Sequence, residues 1–309
     1  MAKRHLESEI SPMLATLVEK PFDGKDWLFE IKWDGYRALA HKNKTVRLIS
    51  RGKKSFNVHF ASIVKALEKL PGKFILDGEI VILDEKGRSN FQLLQNYQRR
   101  HEVPYYYVFD ILSYQGKELI ALPLIERKQI LKKLLAKAPD QIRFSDHVEA
   151  KGKAFFRKIL KLGLEGMIAK KSDSTYQFHR SRDWLKVKTS LRQEVVIGGF
   201  TEPKGGRKRF GALLVGVYER GKLVYVGHVG GGFDERLLEE IHKQLLKCVA
   251  KTCPFAEEPH PNSPVTWVKP KLVCEVSFSE WTASGIMRQP IFKGMRIDKD
   301  PRSVHREKP

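Results

Sequence analysis

Cysteine is scarce in this chain of 309 residues: Cys248, Cys253 and Cys274 form an odd set without a Cys-x-x-Cys pair. That excludes a disulfide framework and a zinc ribbon, and it agrees with a reducing compartment. The ten histidines show no His-Glu-x-x-His spacing, so they read as surface or core residues rather than metal ligands. No apolar run approaches the roughly 18 residues of a membrane span, and no basic amphipathic helix closes the chain. The opening Met1-Ala2-Lys3-Arg4-His5-Leu6-Glu7 lacks an apolar h-region, which argues against secretion. Internal repeats and low-complexity segments are also missing. Acidic residues are under-represented: 36 Asp and Glu stand against 57 Lys and Arg, a formal charge of +21. Such an excess calls for an anionic partner and strong salt dependence, and nucleic acid suits it better than an anionic membrane.

What is present suffices for a core, since 41% of the residues are hydrophobic, and the length predicts two domains. Residues 1–189 alternate short strand-like runs with helical ones. Strands are expected at Trp27–Lys32, Tyr36–His41, Thr45–Ser50, Phe74–Leu83, Tyr105–Ile111, Gly166–Lys170 and Trp184–Lys188. Helices are expected at Val58–Lys69, Leu124–Ala136 and Lys151–Leu162. This is an α+β pattern, not a βαβ array. Residues 190–309 change character. Strands are expected at Glu194–Glu202, Ala212–Glu219, Lys222–Val229, Val265–Val268 and Leu272–Ser279, with a helix at Asp234–Ala250 after the third. That order predicts an OB-fold β-barrel, a frequent nucleic-acid binder. Residues 203–209 read as a flexible basic loop.

Six segments carry candidate chemistry. In Lys32-Trp33-Asp34-Gly35 a lysine ends an apolar run, with Glu30 and Arg37 nearby. An amine held among cations and partly out of water becomes a nucleophile near neutral pH. The alternative is a surface hairpin with an Asp-Gly turn. Ser50-Arg51-Gly52-Lys53 is either a basic turn or a phosphate clamp in which Arg51 supplies a rigid fork of donors. Asp77 and Glu79 project from one face of an apolar strand, so they need cations, metal or ligand hydroxyls; structural salt bridges are the alternative. Phe109, in the aromatic strand Tyr105–Leu112, is a core ring or one on which a base stacks. Glu165 combines with Lys170 as a metal ligand and a phosphate-binding amine. Lys186 and Lys188 share one strand face, where two like charges suit an intervening phosphate; a lysine-guarded edge strand is the alternative.

In this order the six segments resemble the nucleotidyltransferase motifs of ATP-dependent DNA ligases. A seventh, Arg296-Ile297-Asp298-Lys299, resembles the element that ends their OB-fold. Arg182–Lys188, Tyr225–Phe233 and Asp298–Arg302 resemble the ligase module of bacterial non-homologous end-joining ligases in particular. The first basic segment departs slightly from the family pattern, reading Ser-Arg-Gly-Lys.

The resemblance implies an adenylation domain, residues 1–189, and an OB-fold domain, residues 190–309. The enzyme would seal 5′-phosphate/3′-OH nicks through a lysyl-AMP on Lys32 and an adenylylated DNA. Phe109 would stack on adenine, Glu30 would lie near its amino edge, and Arg37 and Glu79 would hold the ribose. Lys186 and Lys188 would contact the α-phosphate with Lys170 as a further cation. Arg296 and Lys299 would reach the β- and γ-phosphates. Glu165 and Glu79 are the expected ligands for Mg²⁺ or Mn²⁺. Asp34 would assist the sealing step and Arg51 would grip the 5′-phosphate, and a swing of the OB-fold about residues 188–191 is implied. The implied partners are nicked double-stranded DNA, Ku, and polymerase or phosphoesterase modules, with the chain itself a monomer in the bacterial cytoplasm at the nucleoid. The rival readings are an RNA ligase or capping enzyme of the same superfamily and a catalytically silent DNA-end-binding module. The tail from Ser303 is expected to begin a linker.

Overall fold

The computed structural model describes residues 11–95, 97–100, 102–203, 205–206 and 208–307. The N-terminal segment Met1–Glu7, Lys204 and Arg207 of the basic loop, and the last two residues lie outside them. Two compact units divide between Thr189 and Ser190.

The first unit holds two sheets. One runs Leu14–Leu17, Arg180–Lys188, Gly166–Lys171, Gly24–Ile31, His147–Ala150. The other runs Val46–Ser50, Tyr36–Lys42, Phe74–Val81, Tyr105–Tyr114, Lys117–Glu118, with Ile142–Phe144 parallel to Tyr105–Tyr114. Neighbouring strands are mostly antiparallel, which separates this α+β unit from a wound α/β sheet. Met13, Leu39, Ile75, Phe109, Leu112, Tyr176 and Trp184 form a core drawn from both sheets.

Each helix buries the face its period predicts. Gly152–Lys161 sends Phe156 and Ile159 inward, and Phe156 packs with Phe29, Met167 and Val187 of the first sheet. Leu124–Leu135 buries residues 124, 127, 128, 131, 134 and 135, an unbroken 3.6-residue stripe. Two members of that stripe, Arg127 and Lys128, are cations, which an apolar stripe does not otherwise admit.

The Asp34-Gly35 step is not a hairpin. Gly24–Ile31 pairs within the first sheet and Tyr36–Lys42 within the second, so Lys32–Gly35 is where the chain crosses between them. Gly35 is required by proximity: a Cβ there would sit 2.1 Å from the Ile80 carbonyl oxygen.

The second unit carries strands Leu191–Thr201, Leu213–Glu219, Lys222–Val229, Val265–Phe278 and Ile291–Met295, with helix Glu235–Leu246 after the third. The sheet order places Leu191–Thr201 between Leu213–Glu219 and Val265–Phe278, the latter bordered by Ile291–Met295. This is the OB-fold order, with one correction: the expected strands Val265–Val268 and Leu272–Ser279 are a single strand. Trp267 pairs with Gly199 and Leu272 with Ile197, so the residues between arch out around Pro270. The Lys269 N–H, turned away from the ladder, donates to the Cys248 carbonyl at 2.7 Å. Residues 248–250 leave the helix to pair there, which is why it ends at Leu246 rather than Ala250. Ile291–Met295 supplies the fifth strand. The tail is also corrected. Val304 is 2% exposed and its carbonyl accepts from the Tyr218 N–H at 2.8 Å, so residues 303–307 belong to the fold rather than to a linker.

Gly35→Ala forces a methyl into the Ile80 carbonyl and should destabilise the first unit by about 1–3 kcal/mol, as overpacking does. Urea denaturation checks this, and an unchanged midpoint would remove the close approach as a constraint.

Candidate active site

Strand register assembles the site. Consecutive partners His147, Glu30, Ile168 and Lys186 form one row across the first sheet. Alternation puts Lys32, Lys170, Trp184 and Lys188 on the same face, Lys170 opposite both Leu28 and Trp184. The Lys32 N–H donates to the Gly166 carbonyl at 2.9 Å, extending the ladder to the crossing point. Lys32, Lys170, Lys186 and Lys188 thus share one sheet face with Glu30 among them.

Lys32 is held at its tip by an ion pair with Glu165, which is 6% exposed. The residues after it are braced. The Trp33 ring stacks on Tyr107 at 3.7 Å and its indole N–H donates to the Ser145 hydroxyl, while the Asp34 N–H donates to the Ser89 hydroxyl. Gly166 follows Glu165 where the backbone is tight, a Cβ there lying 2.2 Å from the Val187 carbonyl.

Glu30 is buried to 1% exposure. Lys128 donates to its Oε1 at 2.8 Å, and Lys170 and the Ser145 hydroxyl donate to Oε2 at 3.0 and 3.3 Å. Burial alone would raise this carboxyl; the two lysines outweigh that and hold it below the ordinary carboxylate range. Lys170 lies over the rings of Phe109, at 4.1 Å, and Trp184, at 4.3 Å. Burial pushes its amine down to about 8 despite the Glu30 carboxylate.

From the second sheet, Arg37 stands opposite Glu79 and diagonal to Asp77. Its guanidinium donates two bonds of 2.6 Å to Asp77 and one to the Met13 carbonyl. Tyr176 donates to the same carboxylate at 2.6 Å. Burial would lower the Arg37 guanidinium, but Asp77 fixes its charge well above the ordinary value. Arg37 also lies 4.6 Å over the Phe109 ring. Glu79, Lys186, Lys188 and Arg51 are partly exposed, and the Arg51 N–H donates to the Arg37 carbonyl at 3.2 Å.

Lys170, expected to offer its amine to a phosphate, is 2% exposed, donates to Glu30 and lies over two rings. Phe109, expected as a stacking platform, is 8% exposed with Arg37 and Lys170 over it. Arg37, expected at a ribose, directs its fork to Asp77. In the second unit Arg296 makes a two-bond pair with Asp298 at 2.9 and 2.8 Å and a third bond to Glu275, and Lys299 pairs with Glu194 at 2.7 Å. Both cations expected for the β- and γ-phosphates are therefore held by carboxylates of their own unit.

Three participants escaped sequence reasoning: Tyr176, Arg127 and Lys128. The available signal was the helical period, which puts residues 127 and 128 in a core-facing stripe where a cation must have a partner. Arg127, 0% exposed, forks onto Asp110, also 0% exposed, at 2.8 Å and donates to the Leu122 and Ser174 carbonyls.

Both units have matches among known proteins. Residues 12–188 match a family model described as ATP dependent DNA ligase domain, and residues 206–299 match one described as ATP dependent DNA ligase C terminal region. The chain is 41% identical over 310 residues to the multifunctional non-homologous end joining protein LigD of Pseudomonas aeruginosa, covering 97% of this chain and 37% of that one. LigD of Mycobacterium tuberculosis is 37% identical over 306 residues, covering 96% and 40%. The chain thus spans about two fifths of the length of these relatives. Among solved structures, a mycobacterial DNA ligase D complexed with ATP and MES superposes with TM-score 0.72 at 34% identity, covering 96% of this chain and 98% of that one. The ligase domain of M. tuberculosis LigD gives 0.54 at the same identity and coverage.

Asp110→Asn leaves the buried Arg127 without its counter-charge and should cost about 3–5 kcal/mol. The apolar double replacement Asp110→Leu with Arg127→Met should recover most of that loss in urea denaturation. A single-variant loss below about 1 kcal/mol would show that the pair is no clamp.

Proposed function

The chain belongs to the ATP-dependent DNA ligases, and on that footing we propose that it seals 5′-phosphate/3′-OH nicks in double-stranded DNA through a lysyl-AMP on Lys32. The observation that carries this reading is the shared sheet face of Lys32, Lys186 and Lys188, with the Glu165 carboxylate in contact with the Lys32 amine. Phosphoryl transfer asks for charge neutralisation and in-line positioning more than for acid–base groups, and a face of lysines supplies the former.

In the first step the Lys32 amine, having lost its proton, attacks the α-phosphorus of ATP. The N–P bond forms as the bond from the α-phosphorus to the bridging oxygen breaks, and pyrophosphate leaves with that electron pair. Lys186 and Lys188 neutralise the α-phosphate oxygens. Glu165 holds the Lys32 amine in place before attack and Glu79 faces the sugar. The donor chemistry also fits a divalent cation: Glu165 and Glu79 offer hard carboxylate oxygens, suited to Mg²⁺ or Mn²⁺. A cation held there would supply positive charge to the phosphate. Arg296 and Lys299 can serve the outer phosphates only if Glu194, Glu275 and Asp298 release them.

The second step passes AMP to the 5′-phosphate of a nick, and in the third the 3′-OH attacks that phosphate and expels AMP. Arg51 would grip the 5′-phosphate and Asp34 assist the final attack. The formal charge of +21 supports a polyanionic partner. Partnership with Ku and with end-joining polymerase or phosphoesterase modules belongs to the same proposal.

Incubation with α-labelled ATP and Mg²⁺ or Mn²⁺, followed by a denaturing gel and intact mass, tests the first step. A covalent AMP is expected on the wild type and none on Lys32→Ala; pyrophosphate should strip it. An adduct that persists in Lys32→Ala would displace the nucleophile, and sealing of nicked RNA in preference to nicked DNA would move the acceptor class.

A further inference from the structure

The mechanism leaves one buried feature unused. Glu30 carries two lysines, Lys128 and Lys170, all three at 1–2% exposure. Two buried cations share one buried carboxylate, and an unbalanced charge away from water is costly. Stability alone would favour an apolar residue at position 128, a core position of its helix. The arrangement therefore asks for a use.

Its geometry is fixed from two sides. Lys128 donates to Glu30 Oε1 at 2.8 Å and to the Ser145 carbonyl at 2.9 Å, and its amine lies 4.6 Å over the Phe144 ring. Lys170 and the Ser145 hydroxyl engage Oε2. A carboxylate accepts about four donors, two per oxygen. These three bonds leave room for one more, on Oε1, beside the one from Lys128. Glu30 itself is two residues from Lys32 on the same strand face.

We propose that Lys128 is a positioning residue for nucleotide choice: it holds Glu30 so that Oε1 accepts the 6-amino group of adenine and opposes the 6-oxygen of guanine. A fixed acceptor discriminates a donor from an acceptor at one ring position far better than a mobile one, because the wrong base leaves buried polar groups unpaired. Without Lys128 the carboxylate keeps only its Oε2 partners and turns toward Lys170, and the acceptor aimed at the base is lost. The inference rests on the reading of Lys32 as the nucleophile with Glu30 at the edge of the base.

The test is covalent nucleotide transfer from ATP and from GTP by wild type, Lys128→Met, Lys128→Arg, Glu30→Gln and the double variant Glu30→Gln/Lys128→Met. Lys128→Met should lower the ATP-over-GTP ratio of kcat/KM at least tenfold, chiefly through KM for ATP, and Lys128→Arg should restore it. In the Glu30→Gln background Lys128→Met should change that ratio no further, since Lys128 acts only through Glu30. An unchanged ratio in Lys128→Met, or a further fall in the double variant, overturns the proposal. If Lys128→Met alone does not fold, the double variant removes the unpaired carboxylate, and its comparison with Glu30→Gln decides. Absence of any adduct on the wild type would instead remove the nucleotidyl-transfer reading beneath it.

Discussion

Two adjacent residues of one helix fasten the first unit together. Arg127 forks onto Asp110 in the second sheet, and Lys128 holds Glu30 in the first. Consecutive helical side chains leave the axis about 100° apart, so two neighbours in sequence let one helix reach two sheets. Both pairs are buried to 2% exposure or less. Charges that deep contribute little net stability, yet losing one partner strands the other. The sheets are thus fixed to the helix in a direction-specific way that apolar packing alone would not impose.

The rest of the site depends on that fixation. The Phe109–Trp184–Tyr176 core lies where the sheets meet, and Arg37 and Lys170 lie over the Phe109 ring there. The chain crosses between sheets at Lys32–Gly35, so the amine at the crossing is positioned by both. Gly35 lets the crossing pass against the Ile80 carbonyl, and Trp33 on Tyr107 ties it to the second sheet. Lys32 has little freedom to relocate because its surroundings are anchored on two sides.

Much of this was legible. The strand runs Trp27–Lys32, Tyr36–His41 and Phe74–Leu83 were readable because each is a short apolar run with local boundaries. Lys32, Lys186 and Lys188 stood out as cations in strand-like runs. What stayed hidden is non-local. Leu14–Leu17 gains its strand by pairing with Arg180–Lys188, more than 160 residues on, and nothing in Leu-Ala-Thr-Leu announces that. His147–Ala150 has two exposed residues and no strong pattern, and exists as a strand through Gly24–Ile31. The arch at Pro270 made one strand look like two, since a bulge and a turn read alike in one dimension.

By itself, the sequence determined the two-part α+β and OB-fold organisation, and it pointed to an anionic partner and to the segment proposed to hold the nucleophile. Those follow from periodicity, net charge and short motifs, which are local or additive. Only the tertiary structure decided which charges remain available and which are internal. Arg37 and Lys170 look as open as Lys186 in one dimension. Burial and the approach of Glu30, Asp77 and two aromatic rings decide otherwise, because the cost of a buried charge is settled by its neighbours in space.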